Sequence, residues 1–399
     1  WIYHFDNPLF FIFKEEILSN FSLSGIIYKR EGDYVERLMI RFLPPQFTSE
    51  ELISILYLNN DVQEALRKLE VKMSIDLVRP QLLTSFNLKE AVESTRIEGT
   101  QTTISEVYEA HILTHDLESG TNDTREVINY LIALNHGKSM VEQDGIIVGR
   151  TLKKLHELLL AGNVRGKDRS PGNFRNVDNW IGPENAPIEK ATYIPPSHIE
   201  IAEYIKNLEI FINQGDDDFN RLPSVVKAAI IHAQFESIHP FLDGNGRVGR
   251  MLIPLYFQLM GEHSLSNIFI SSQLEKSKFQ YYALLNGTRR EEPAWFEWVT
   301  YFLKSTLHAI AEVSQKYDRI IELYHRTRES DDSSYMKVLD VLFENPILTV
   351  KIAASKTNLS APTVRRVLNQ MVEKRIIFKD DKERNSNYYF YDLLRAVES

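Results

Sequence analysis

The stretch that most constrains the fold is SIHPFLDGNGRVGR, Ser237 to Arg250. It closes the apolar-rich run PSVVKAAIIHAQFESI, which reads as a core helix, and Pro240 disfavours its continuation past His239. A second helical pattern starts within Gly244-Asn245-Gly246-Arg247 and runs to about Met260. The centre of the molecule is therefore expected to be two helices joined by a short loop. The opening turn of the second helix offers free backbone N–H groups and the positive end of the helix dipole, a combination that binds phosphate. Glycines there remove side chains that would block close approach. Arg247 and Arg250, three positions apart, share a helix face, and arginine grips phosphate oxygens with two parallel bonds.

Two further residues give this loop chemistry. Asp243, a hard carboxylate beside the phosphate cradle, suits Mg²⁺, which takes one or two carboxylates plus substrate phosphates. His239, just past a helix end, can take a proton from a hydroxyl at neutral pH. Taken alone, His239 reads more plainly as a core histidine. Taken with its neighbours, it points to attack by a hydroxyl on a nucleotide phosphate, with metal and arginines stabilising the charge.

Around this centre the chain reads as mostly helical. Helical patterns cover about Thr48–Val78, Phe86–Glu98 with Gly99 as the stop, a segment started by Asp123 and Glu126, Val148–Leu160, Ile199–Ile212 and about Ala294–Tyr324. Between Arg165 and Pro196 the period breaks, and NWIG and ATYI read as the arms of a small hairpin. The polar segment RTRESDDSS, Arg326 to Ser334, reads as a linker. Beyond it come three short helices, the third capped by Ser360, and the strand-like pieces IIFK and NYYFYD. That succession is a winged helix-turn-helix pattern. Residues 1–45 are aromatic-rich, show no clean period and receive no role. Two decoys fall away. Gly137-Lys138-Ser139 lacks the upstream glycine of a P-loop, since Ile132 stands there, and Asp216 to Asp218 lacks the alternating ligands of a calcium loop.

Composition narrows the classes. The chain has 399 residues and a net charge of −9, which argues against nucleic-acid binding along its whole length. With no cysteine, disulfides, thiolate metal sites and cysteine nucleophiles are excluded, which fits the cytoplasm. No apolar run approaches the roughly 20 residues of a membrane span; LFFIF, Leu9 to Phe13, reads as a buried strand.

The run HPF-x-DGNGR-x-x-R resembles the signature of Fic-domain proteins of the Fic/DOC family, and the likeness extends over about residues 85–325. It implies an all-α Fic core with a small β-hairpin flap, plus the C-terminal winged helix-turn-helix domain. The expected division is 1–122 as an N-terminal region with an inhibitory helix, 123–325 as the catalytic core and 333–399 as the winged helix. The implied activity is transfer of AMP from ATP to a Ser, Thr or Tyr hydroxyl of a target protein and of the chain itself. By this resemblance His239 is the general base, Asp243 holds Mg²⁺ and Phe241 anchors the loop. Asn245 with Gly244 and Gly246 holds the α-phosphate, and Arg247 and Arg250 hold the β- and γ-phosphates. Relatives that transfer the γ-phosphate carry Lys where Gly246 stands, so this chain resembles the AMP-transferring members. Thr192, Tyr193 and Ile194 match the flap that docks the target's backbone, and Tyr281 and Tyr282 the adenine pocket.

Upstream, Glu98 stands in the last turn of a predicted helix, where an acid faces the negative dipole end at a cost of roughly 0.3–1 kcal/mol. A solvated surface glutamate is the plain explanation. Ser94-x-x-x-Glu98-Gly99 also resembles the family's inhibitory motif, in which the glutamate pairs with the second arginine, here Arg250, and displaces the γ-phosphate. The resemblance extends to AMP removal by a water held on the same glutamate. The segment from Tyr335 onward carries 11 Lys and Arg against 8 Asp and Glu, unlike the rest of the chain. There Thr363, Arg365, Arg366 and Asn369 would read a DNA groove, with Lys379, Lys382 and Arg384 on or near the wing. The expected partners are thus a target protein, DNA and a second copy of the chain, with no membrane. The competing reading is a transcriptional regulator whose nucleotide site senses or is vestigial.

Overall fold

A computed structural model of the chain describes residues 24–30, 33–38, 40–74, 79–114, 121–182, 187–214, 222–328, 330, 332–382 and 386–398. LFFIF, Asp216 to Asp218 and Arg384 lie outside the described residues. A two-stranded antiparallel ribbon, β1 (Ser24–Arg30) and β2 (Asp33–Leu38), falls where no period was legible. The helical body follows: α1 (Ser49–Ser74), α2 (Arg79–Ile97), α3 (Ile104–Thr114), α4 (Asn122–Asp144), α5 (Gly149–Leu159), α6 (Ile201–Asn213), α7 (Ser224–Ile238), α8 (Asn245–Leu259), α9 (Ser271–Lys276), α10 (Lys278–Gly287) and α11 (Trp295–Thr327).

At the centre of the body is α7. Every residue from Val225 to Ile238 is buried, as expected of a helix apolar on all sides. It packs against α8, α6 and α11, and the Trp298 indole of α11 donates to the Ala229 carbonyl at 2.8 Å. On the other side of α8 lies α4, with α5 beyond it; α1 runs along α11. Gly137 lets α4 approach closely, since a Cβ there would meet Leu155 at 2.7 Å and Leu255 at 3.0 Å. That packing explains the glycine of the false GKS motif.

Several expected boundaries shift. The helix expected at Phe86 begins at Arg79, and Gly99 follows its end with φ +99°. Thr121, not Asp123, caps α4, its hydroxyl accepting from the Thr124 N–H. Asp123 instead accepts from the Gln101 N–H at 2.6 Å. Helix α11 continues through Thr327, so the linker shrinks to the residues before Ser333. The hairpin expected from NWIG and ATYI is a single antiparallel bridge between Ile181 and Tyr193, flanking a short 3₁₀ turn at Ile188–Lys190.

The last segment comprises α12 (Ser333–Glu344), β3 (Ile347–Thr349), α13 (Val350–Thr357), α14 (Ala361–Glu373), β4 (Phe378–Lys379), β5 (Asn387–Tyr389) and α15 (Tyr391–Glu398). Its three strands form an antiparallel sheet in the order β3-β5-β4. Ser360 caps α14 by accepting from the Thr363 N–H. Neither β3 nor α15 was expected, being too short to show a period. This segment packs on α2 through α12 and α15, and the Lys89 ammonium of α2 donates to the Glu398 carbonyl at 2.9 Å. Among the described residues no helix is long and apolar enough to cross a membrane.

Candidate active site

The loop between α7 and α8 is built to hold one imidazole against one helix start. His239 ends α7 in the left-handed region, at φ 48° and ψ 60°, its N–H returned to the Phe235 carbonyl at 2.9 Å. A non-glycine residue there is strained and persists only where surrounding contacts over-determine it. Phe241 is wholly buried and anchors the loop, stacked on His156 at 3.9 Å between ring centres. His156 is lowered to about 4, chiefly by burial, and is therefore neutral. Its Nδ1 accepts from the Gly172 N–H, so its Nε2–H donates to the Asp243 carbonyl.

Asn245 sets the tautomer of His239. Its Oδ1 accepts from the Phe241 N–H at 2.9 Å and its Nδ2 donates to the Phe241 carbonyl at 2.8 Å, so the amide has one orientation. Nδ2 then points at His239 Nδ1, 3.2 Å away, and Asn179 Nδ2 lies 3.4 Å from the same nitrogen. Nδ1 therefore carries the lone pair, and the neutral ring's proton sits on Nε2. Burial lowers the imidazole to about 3, and the cations of Arg289 and Arg175 push in the same direction. The ring is therefore uncharged throughout the neutral range. The Asn245 side chain is thus committed to Phe241 and His239. Any contact with a phosphate would then fall to the N–H groups of the α8 first turn.

Gly244 starts α8 at φ +77°, a conformation glycine adopts without strain. At Gly246 the requirement is space: a Cβ would lie 2.3 Å from Glu98 Oε1 and 2.9 Å from Arg250. The carboxylate of Glu98 therefore rests on the very turn that should receive an anion. It pairs with Arg250 at 2.6 Å. Arg250 is buried and is also held by Ser94, through the hydroxyl at 2.8 Å and the carbonyl at 2.9 Å. Burial raises the Glu98 carboxyl, but Arg250, with Arg247 and Arg165 behind it, outweighs that and holds it below the usual range. Glu98 stands past the last helical residue, and cations offset the dipole there. Arg165 donates to the Glu98 carbonyl at 2.9 Å, and Lys278 donates to the Ile97 carbonyl.

Arg247 is equally buried and pairs with Glu126 at 3.2 Å, with Asp243 at 3.5 Å. Glu126 also accepts from Thr100 and Arg165. Its importance was missed because it was read only as a capping residue. Its place one turn before Tyr130 on the buried face of α4 was the available signal. Asp243 is a single, partly exposed carboxylate whose Oδ1 accepts from the Gly244 N–H at 2.6 Å. Among the described residues no group of three or more His, Asp and Glu could hold a metal. Asp243 fits only an ion that takes its remaining ligands from phosphate and water, as Mg²⁺ does.

The remaining residues divide. Tyr281 is wholly buried, its hydroxyl 2.9 Å from His232 and its ring against Trp298, so it is a packing residue. Tyr282 is 39% exposed, and the charges of Glu98, Arg250 and Glu236 act on it. Tyr193 and Ile194 turn inward, and the Tyr193 hydroxyl donates to the Ser237 carbonyl at 2.7 Å. Thr192 donates twice to the Ile181 carbonyl. Thr192 itself stays exposed.

Comparison with known proteins agrees with this geometry. The Fic/DOC family model matches residues 149–257, the span that holds the loop and the cradle, and the family's N-terminal model matches residues 58–139, the span that holds Glu98. The chain carries a Fic/DOC domain preceded by the family's N-terminal region. Curated relatives include proteins called "Protein adenylyltransferase Fic" from Drosophila grimshawi and Drosophila mojavensis, 26% and 27% identical over 132 residues. Each match covers 33% of this chain and 24% of the fly protein, so the chain spans about a quarter of those relatives' length. Two solved structures share the fold. A Fic family protein from Desulfovibrio desulfuricans G20 has a TM-score of 0.55 at 19% identity, covering 88% of this chain and 98% of that one. Fic-1 (residues 134–508) from C. elegans has 0.50 at 18%, covering 68% and 75%.

Proposed function

We propose that this Fic protein transfers AMP from ATP to a hydroxyl of a target protein and holds itself inactive through Glu98. The observation that carries the reading is the carboxylate of Glu98 lying on Gly246 and Arg250, in the anion cradle, within one loop of a neutral imidazole. When ATP takes the cradle, the N–H groups of the α8 first turn face the α-phosphate, and Arg247 and Arg250 hold the outer phosphates. The acceptor oxygen attacks the α-phosphorus and forms an ester bond. The bond from that phosphorus to the bridging oxygen breaks, and pyrophosphate leaves with the electron pair. The hydroxyl proton passes to the imidazole of His239. Asp243 would hold Mg²⁺, which when bound neutralises phosphate charge.

The test is the position of the label. With the Glu98→Gly variant, ATP labelled on the α-phosphate should label protein and ATP labelled on the γ-phosphate should not. The reverse pattern identifies phosphoryl transfer and removes the reading. Adding the parent chain to the labelled protein tests AMP removal, which predicts loss of that label.

We also infer that the segment from Ser333 onward is a winged helix that binds DNA. Helix α14 buries Val364, Val367, Leu368 and Met371 and presents Arg365, Arg366 and Asn369 outward. Thr363 is half-buried with its hydroxyl on Ser360, Arg366 pairs with Asp332 at 3.2 Å, and Asn369 Oδ1 accepts from the Tyr388 hydroxyl at 3.5 Å, which leaves Arg365 as the foremost base-reading candidate. Lys379 and Lys382 flank the strand pair. Full chain should retard duplex DNA at low salt and lose it as salt rises. No retardation at low salt assigns this segment to protein contacts.

A further inference from the structure

Two buried arginines outside the signature motif meet the carbonyl end of α7. Arg175 donates through Nε to the His239 carbonyl at 2.9 Å, and its own N–H donates to the Pro240 carbonyl at 2.8 Å. Its other nitrogens reach the Val177 carbonyl at 3.2 Å and the Pro196 carbonyl at 2.5 Å, on either side of the Ile181–Tyr193 bridge. Arg289 donates to the Ser237 hydroxyl at 3.1 Å and to the Glu236 carbonyl at 3.0 Å. Its guanidinium lies 4.1 Å from the centre of the Tyr193 ring, whose hydroxyl donates to the Ser237 carbonyl. Arg175 thus bonds the strained turn that carries the base and the backbone on both sides of the bridge, while Arg289 bonds the last turn of α7 and stacks on Tyr193 of the flap.

We propose that Arg175 and Arg289 are positioning residues that clasp the end of α7 to the flap, so that one set of contacts aims His239 and supports the docked target. The inference rests on the AMP-transfer reading above. The left-handed turn at His239 requires an external restraint, which Arg175 supplies at the His239 and Pro240 carbonyls while Arg289 holds the helical turn before it. Cations at a helix's carbonyl end also oppose its negative dipole. The charged groups acting on the imidazole are Arg289 and Arg175, which favour the neutral ring, and Glu98, which opposes them; Asp178 stands 3.7 Å from Arg175.

The test separates aim from mere folding. The full chain with ¹³C-labelled histidine is titrated by NMR, with His239→Gln to identify the resonance. In the parent, His239 should stay neutral with its proton on Nε2 from pH 8 to pH 5. In Arg289→Gln its pKa should rise, with burial still holding it below the ordinary histidine range, whereas Arg289→Lys should leave it as in the parent. The same rise in both Arg289 variants, or no rise in Arg289→Gln, overturns the proposal. Tyr193→Phe, which removes one hydroxyl from a folded scaffold, gives an independent arm in the Glu98→Gly background. There kcat should fall about tenfold with KM for ATP unchanged. An unchanged kcat overturns the proposal even if the arginine variants do not fold. Absence of any AMP transfer by Glu98→Gly itself would defeat the functional reading, and the titration would still decide the clasp.

Discussion

Replacing Glu98 by glycine is expected to raise AMP transfer by on the order of a hundredfold, the scale on which one preorganised charge contact acts in a transition state. On the proposed reading Glu98 and a γ-phosphate would compete for the same guanidinium, since the carboxylate stands 2.6 Å from Arg250. The competition is also steric, since Oε1 of Glu98 fills the space a Cβ on Gly246 would need. Removing the carboxylate should not let Arg250 collapse, because Ser94 holds it through both hydroxyl and carbonyl. Two effects favour the variant: the cradle opens, and a buried cation is left that only an anion satisfies. Incorporation of α-labelled AMP into protein measures it. Equal labelling by parent and variant would show that the ion pair is structural and restrains nothing.

Replacing His239 by alanine in that opened background is expected to cost between about 10² and 10⁴ in rate, the range of a positioned general base. ATP affinity should stay within a few-fold, because phosphates are held by the α8 first turn, Arg247 and Arg250, and none of these contacts passes through the ring. Calorimetry with ATP and a single-turnover rate separate the two quantities. Undiminished transfer would move the base to another residue, whereas lost ATP affinity would make His239 a part of the cradle.

The parts of the site that the sequence revealed lie within one short run. Pro240 and the glycines set where two helices stop and start, and the helix geometry then put Arg247 and Arg250 on one face. Glu98 was legible as an acid at an unfavourable helix end, an anomaly that needed cations to explain it; three cations surround that end. What escaped notice came from residues far apart in the chain. Arg175 and Asn179 sit in a loop with no period, and Arg289 follows a short helix, so only folding brings them to His239. Asn245 was assigned to phosphate because it lies in the nest, yet its amide is consumed by the Phe241 backbone. Tyr281 fell on a helix whose buried side the paired tyrosines concealed. In the last segment, β3 and α15 have three and eight residues, too few for alternation or helical spacing to stand out.

The most direct measurement is a crystal structure of the Glu98→Gly chain with a non-hydrolysable ATP analogue. The account predicts the γ-phosphate within hydrogen-bond distance of Arg250 and the α-phosphate on the first turn of α8, facing the imidazole of His239. A triphosphate bound away from that turn, or an imidazole directed away from the α-phosphorus, would contradict it.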